Sequence, residues 1–198
     1  MARTLEFLFD FGSPTTYLAY RRLPGLQSRT GAQIVYMPIL LGGVFKATGN
    51  ASPATIPAKS RWMRTDMARF ARRHGIAFQS NPYFPINTMH LMRGATGLID
   101  DPRFAAYVEA VFDAMWREPR NLGDPAELGP VLARAGVAPD EFRTLVERED
   151  VKERLKAATE QAVERGAFGA PTFFVGDEMF FGQDRLDFVE EALLAPAA

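Results

Sequence analysis

The sequence predicts an α/β fold in which a strand–helix–strand beginning and a hairpin–helix end are separated by a large all-helical insertion. Three observations carry this expectation. The apolar run Leu5-Glu6-Phe7-Leu8-Phe9-Asp10-Phe11 stops at Gly12-Ser13-Pro14 and turns straight into a helical pattern. A second apolar strand, Gln33 to Pro38, follows after one helical crossover, which makes the two strands parallel. Far along the chain, Thr172–Val175 and Glu178–Phe181 flank Gly176-Asp177, a two-residue hairpin signal.

Taken in order, Ser13 is placed to cap the first helix and Pro14 sits in its first turn, where the missing N–H is harmless. The helical pattern is read from Thr15 through Arg22. After the second strand, Leu40 to Pro57 is rich in Gly, Ser, Thr, Asn and Pro and reads as a long loop. From Pro57 to His74, Met63, Met67, Phe70 and Ala71 recur at helical spacing, and Gly75 closes the helix. Asn87 caps a helix running to about Ile99. Asp101-Pro102 opens another, with Phe104, Val108, Val111, Phe112 and Met115 on one stripe. Asp124-Pro125 and Pro139-Asp140 begin two shorter helices, and 151–165 is a longer one ended by Gly166. Asp184 caps a last helix with Leu186, Val189, Leu193 and Leu194 inward, and the tail from Ala195 is expected to fray.

Composition narrows the function classes. At 198 residues, with 47% hydrophobic and 24% charged residues, the chain has the means for an ordinary globular core. A formal net charge of −1 gives no pull toward nucleic acid or anionic membranes. Arg61, Arg64, Arg69, Arg72 and Arg73 make one helix basic, which reads as a solvated face. No apolar run is long enough to span a membrane and no signal-peptide pattern opens the chain, so cytoplasmic residence is expected. With no cysteine the chain forms no disulfide and offers no thiolate of its own. His74 and His90 are too few for a histidine metal cluster, so no metal site is expected.

Two local features can carry chemistry. A helix start presents unpaired backbone N–H groups and the positive end of the helix dipole, so Ser13 either merely caps the helix or helps hold an anion such as a thiolate. In Gly169-Ala170-Pro171-Thr172, the proline directly precedes a strand, as a simple strand start or with a cis bond. In the cis case the backbone of Ala170 is turned outward, free to pair with a bound peptide.

A strand, a helix beginning at Ser-Pro and a distant Gly-Ala-Pro-Thr before a hairpin resemble a thioredoxin-like fold, with the helical block as the insertion of the disulfide-oxidoreductase A family. The resemblance implies a thioredoxin-like domain of residues 1–40 and 150–198, with residues 41–149 inserted. Redox members carry Cys-Pro-x-Cys where this chain has Ser13-Pro14-Thr15-Thr16, and disulfide exchange needs sulfurs that are absent here. The stretches Phe9–Pro14, Gly42–Asn50, Phe168–Val175 and Phe181–Leu186 resemble the 2-hydroxychromene-2-carboxylate isomerases, with kappa-class glutathione transferases as their nearest relatives.

That resemblance implies glutathione as cofactor, bound at the first helix, with the Ser13 hydroxyl donating to its sulfur. It places Ala170, before Pro171, against the cysteinyl part, and Gln183 and Asp184 at the γ-glutamyl group, where an ammonium seeks a carboxylate. Asn50 and Lys59 match insertion positions that close over glutathione, while Asp184 can also serve as a cap. Lysine is scarce, with Lys46, Lys59, Lys152 and Lys156 making up the full set. Lys46 is a partner for a substrate carboxylate or a solvated surface lysine. Tyr83 and Asn87 can supply an aromatic wall and an amide near the substrate, or belong to a loop and helix cap. The family usually has an aromatic residue after Ser-Pro, where this chain has Thr15, so the pocket is more polar or roomier.

The resemblance thus implies an isomerase of aromatic degradation that interconverts 2-hydroxychromene-2-carboxylate and trans-o-hydroxybenzylidenepyruvate, or a close analogue. The partners implied are a small aromatic carboxylate substrate and a second copy of the chain in a homodimer. Reversible thiolate addition, bond rotation and elimination is the implied mechanism. A kappa-like transferase or peroxidase uses the same thiolate, and a non-catalytic peptide-binding module uses the same edge; both remain open at this point.

Overall fold

The computed structural model describes residues 3–196. The last two residues of the tail expected to fray, Ala197 and Ala198, lie outside the described residues. β1 (Thr4–Phe9), α1 (Pro14–Thr30) and β2 (Gln33–Pro38) form the expected parallel unit, with Phe7 opposite Tyr36 and Phe9 opposite Pro38. β3 (Thr172–Val175) lies antiparallel to β1 with Phe7 opposite Phe173, and β4 (Glu178–Phe181) completes the hairpin. The sheet order is β2-β1-β3-β4.

Alternation along the strands sends side chains to two separate cores. Leu5, Phe7, Phe9 and Phe173 join α1 and the inserted helices in one large cluster. Leu8 and Phe174 point the other way, onto Ile39, Val44, Ala162 and Ala167. Between the halves run α2 (Leu41–Thr48), a 3-10 turn (Pro53–Thr55), α3 (Pro57–Arg73), α4 (Met89–Gly97), α5 (Phe104–Trp116), α6 (Pro125–Arg134), α7 (Pro139–Glu147) and α8 (Glu149–Glu164). α9 (Leu186–Leu194) closes the chain against α1 and β3. The insertion shares its core with the sheet through Phe112, whose ring lies 4.8 Å from Phe11, 4.8 Å from Tyr20 and 6.0 Å from Phe9. None of the helices among the described residues is long and apolar enough to cross a membrane.

Three expectations need correction. The helical pattern read to Arg22 continues across Pro24 and Gly25 to Thr30, where Gly31 adopts φ 67° and its N–H donates to Gln27 O at 2.8 Å. The stretch Leu40 to Pro57 is not a long loop: most of its first half is α2. Tertiary contacts overrule the low helix propensity of Gly42-Gly43. A Cβ on Gly43 would come within 3.1 Å of Thr159 on α8, so glycine lets the two helices close up. Nor does Asp184 cap α9. The chain leaves β4 through Gly182 at φ 103°, Gln183–Arg185 form a 3-10 turn, and α9 begins only at Leu186. The Asp184 carboxylate instead pairs with Arg185 at 2.9 Å and folds over Gly182, where a Cβ would meet Oδ1 at 2.6 Å.

Candidate active site at the start of the first helix

β1 ends at Phe9, and the backbone reverses through Asp10-Phe11-Gly12 so that Ser13 N–H donates to Asp10 O at 3.1 Å. Ser13 then caps α1 as its spacing predicts, its Oγ accepting from Thr16 N at 3.2 Å. Its own proton goes elsewhere: Ser13 Oγ donates to Ala170 O at 2.9 Å, across the sheet. Thr15 Oγ1 lies 3.0 Å from Ser13 Oγ and 3.5 Å from Ala170 O. Capping and site chemistry therefore use different faces of one oxygen. The Ala170–Pro171 bond is cis, as is Phe84–Pro85. The Ala170 carbonyl already accepts the Ser13 proton, which takes one of its two acceptor sites.

Under this turn sits a carboxylate that sequence reading passed over. Asp10 is 1% exposed, and both its oxygens are engaged. Oδ1 accepts from Gly12 N and from Thr88 Oγ1, each at 2.8 Å, and Oδ2 accepts from Leu41 N at 2.8 Å. Burial pushes the Asp10 carboxyl above the ordinary range, against the pull of those three hydrogen bonds. One side chain thus ties the turn to the starts of α2 and α4. The available signal was an acid set between two phenylalanines at the end of an apolar strand run. Trp116 Nε1 donates to Phe11 O at 2.7 Å, fixing the turn from the α5 side.

The opposite wall is assembled from β3, β4 and the loops around them. Asn50 Nδ2 donates to Phe168 O at 2.8 Å, drawing the end of α2 onto the loop before Pro171. Gly182 N–H donates to Pro171 O at 3.0 Å, and Arg22 Nη1 donates to Gln183 O at 2.7 Å. Phe168 and Phe181 leave half-exposed rings with centroids 4.4 Å apart on this rim. Ser13, Ala170, Pro171, Asn50, Gln183 and Asp184 are therefore joined through short hydrogen-bonded steps or adjacent residues.

The remaining candidates are not brought into that linkage. Lys46, in the last turn of α2, and Lys59, in the first turn of α3, are exposed and make no hydrogen bond or ion pair among the described residues. Tyr83 is exposed, with its N–H donating to Asn81 Oδ1. Asn87 Oδ1 accepts from Met89 N at 3.0 Å at the start of α4, and its neighbour Thr88 packs against Gly12. No metal-type cluster of His, Asp and Glu occurs among the described residues. An open cleft of about 540 Å3 lies instead along the arginine face of α3, lined by Asp66, Arg69, Phe70, Arg72 and Arg73.

A family model for DSBA-like thioredoxin domains matches residues 4–194. A 2-hydroxychromene-2-carboxylate isomerase of Sphingobium xenophagum is 33% identical, over 98% of this chain and 100% of its own length. A glutathione S-transferase kappa 1 of Caenorhabditis elegans is 28% identical, over 97% of this chain and 91% of its own. Among solved structures, one of a 2-hydroxychromene-2-carboxylate isomerase superimposes with a TM-score of 0.87 at 33% identity, covering 96% of this chain and 94% of that one.

Proposed function

Because the chain belongs to the DSBA-like thioredoxin domain family and, within it, to the 2-hydroxychromene-2-carboxylate isomerases, we propose that it is a glutathione-dependent isomerase of that substrate or a close analogue. The observation that carries the reading is the Ser13 hydroxyl at the start of α1, facing Ala170 O, in a chain without cysteine. The donor set fits a thiol cofactor: two hydroxyls and a helix N-terminus, all suited to an anion, with the Asp10 carboxylate beneath the turn buried and fully engaged. The kappa-class transferases among the relatives support glutathione as that cofactor.

Glutathione, when bound, would supply the nucleophilic thiolate for reversible covalent catalysis at the conjugated substrate. Ser13 would donate a hydrogen bond to the sulfur anion, and the α1 dipole favours the same charge. Ala170, Pro171, Gln183 and Asp184 form the wall that holds the peptide, with the Asp184 carboxylate offered to an ammonium group. Asn50 and Lys59 cover it from the insertion. Lys46 takes the substrate carboxylate, while Tyr83 and Asn87 line the substrate side.

The test is turnover of the chromene with substoichiometric glutathione, followed by product analysis. The expected result is isomer formed with glutathione unconsumed. Glutathione consumed mole for mole makes the chain a kappa-like transferase, and absence of glutathione binding leaves a peptide-binding module. The same reading makes the working form a cytoplasmic homodimer of 22.0 kDa chains, carried by the family resemblance. Light scattering that gives only monomer at micromolar concentration rejects the dimer.

A further inference from the structure

We propose that Thr15 is a positioning residue that releases the Ser13 proton for the cofactor sulfur by taking over the Ala170 carbonyl; this rests on the glutathione reading above. The argument is one of hydrogen-bond capacity. A serine hydroxyl has one proton and two acceptor sites. Ser13 Oγ already accepts from Thr16 N at 3.2 Å and spends its proton on Ala170 O at 2.9 Å. Donating to a sulfur anion therefore means abandoning that carbonyl, which belongs to a residue only 8% exposed. Orphaning a buried acceptor offsets much of what a charge-assisted hydrogen bond gains, so Ser13 alone would keep only part of its effect. Thr15 removes the conflict. Its Oγ1 stands 3.5 Å from Ala170 O and 3.0 Å from Ser13 Oγ, on a partly exposed residue of the same helical turn. A small rotation lets its proton replace that of Ser13 on the carbonyl. A phenylalanine at position 15 would have no donor for this exchange.

The experiment follows thiolate absorbance of saturating glutathione against pH, in the wild-type protein and in Thr15→Val, Thr15→Ser, Ser13→Ala and Ser13→Ala/Thr15→Val. Thr15→Val is expected to weaken the acidity of the bound thiol by about three- to tenfold, moving the titration midpoint up by roughly 0.5–1 pH unit. Thr15→Ser should titrate like the wild type, since it keeps the donor. In the Ser13→Ala background, adding Thr15→Val should change nothing, because Thr15 acts through Ser13. A Thr15→Val curve superimposed on the wild type while Ser13→Ala is displaced overturns the proposal. So does an equal displacement by Thr15→Val in both backgrounds, which marks a direct contact with sulfur, and so does loss of glutathione binding in Thr15→Val alone. Wild-type protein that binds no glutathione, or binds it with an unaltered thiol, instead overturns the functional reading and this inference with it.

Discussion

The aromatic hub around Phe112 and the polar turn at Asp10–Thr15 grow from the same strand and the same helix, yet they are built on opposite principles. In the hub, Phe9, Phe11, Tyr17 and Tyr20 surround one ring with centroids between 4.8 and 6.0 Å away. Its contribution is non-directional and scales with the apolar area removed from water. For the polar side chains of the turn, almost nothing is gained from area; what counts is where each proton points. A loss in the hub should show as stability alone, whereas a loss in the turn should show as altered chemistry at modest cost to the fold.

The largest effect expected is from Phe112→Ala, which opens a cavity between insertion and sheet and should cost roughly 3–5 kcal/mol in urea unfolding. Glutathione affinity of the remaining folded protein should be unchanged; a parallel loss of affinity would erase the distinction between the two regions. Asp10→Asn is next. The amide has one acceptor oxygen for three donors, and its N–H2 group confronts at least one of them, so about 1–3 kcal/mol should be lost. Its pH dependence is diagnostic. Because burial raises the Asp10 pKa in the fold, its linked stability is fully present below the unfolded value near 3.9 and is lost as pH rises through the folded value. The deficit of Asp10→Asn should therefore widen on acidification, and a deficit that narrows would contradict the raised pKa.

Ser13→Ala should cost about 1 kcal/mol through the lost cap. It should also raise the titration midpoint of bound glutathione by about 1–2 pH units, the equivalent of a charge-assisted hydrogen bond. Here chemistry moves more than stability, the reverse of Phe112→Ala. The smallest effect belongs to Thr16, whose hydroxyl is buried without a hydrogen-bond partner among the described residues. Thr16→Val keeps the shape and removes the orphan, so a gain of up to about 1 kcal/mol is expected in urea unfolding. A loss would show that this oxygen has a partner.

How much of this was legible in the sequence follows the same division. Periodicity and caps located the strands, the hairpin and the helix starts at Pro14, Pro57, Pro125 and Pro139, because those signals are local. α2 was illegible because its Gly42-Gly43 reads as loop, and only the approach of Thr159, far along the chain, makes a helix there close-packed. The Asp184 cap failed for a similar reason: Gly182 redirects the chain before the helix can begin. At the site, Ser13 was legible from its cap spacing and from resemblance to a family. Asp10 and the shared use of Ala170 O by two hydroxyls were not, since both depend on partners between 31 and 157 residues away.

The hydrogen bond from Trp116 to Phe11 O gives the molecule a built-in optical probe. The chain has two tryptophans: Trp116, at 2% exposure, is anchored two residues before Ser13, while Trp62, at 60% exposure, stands on the outer face of α3. Acrylamide should quench Trp62 and spare Trp116. The emission that survives then comes from an indole whose polarity and hydrogen bonding are set by the turn that holds Ser13. In a Trp62→Phe variant, with no label attached, intrinsic fluorescence becomes a single-site recorder of when that turn assembles and of whether a bound ligand disturbs it.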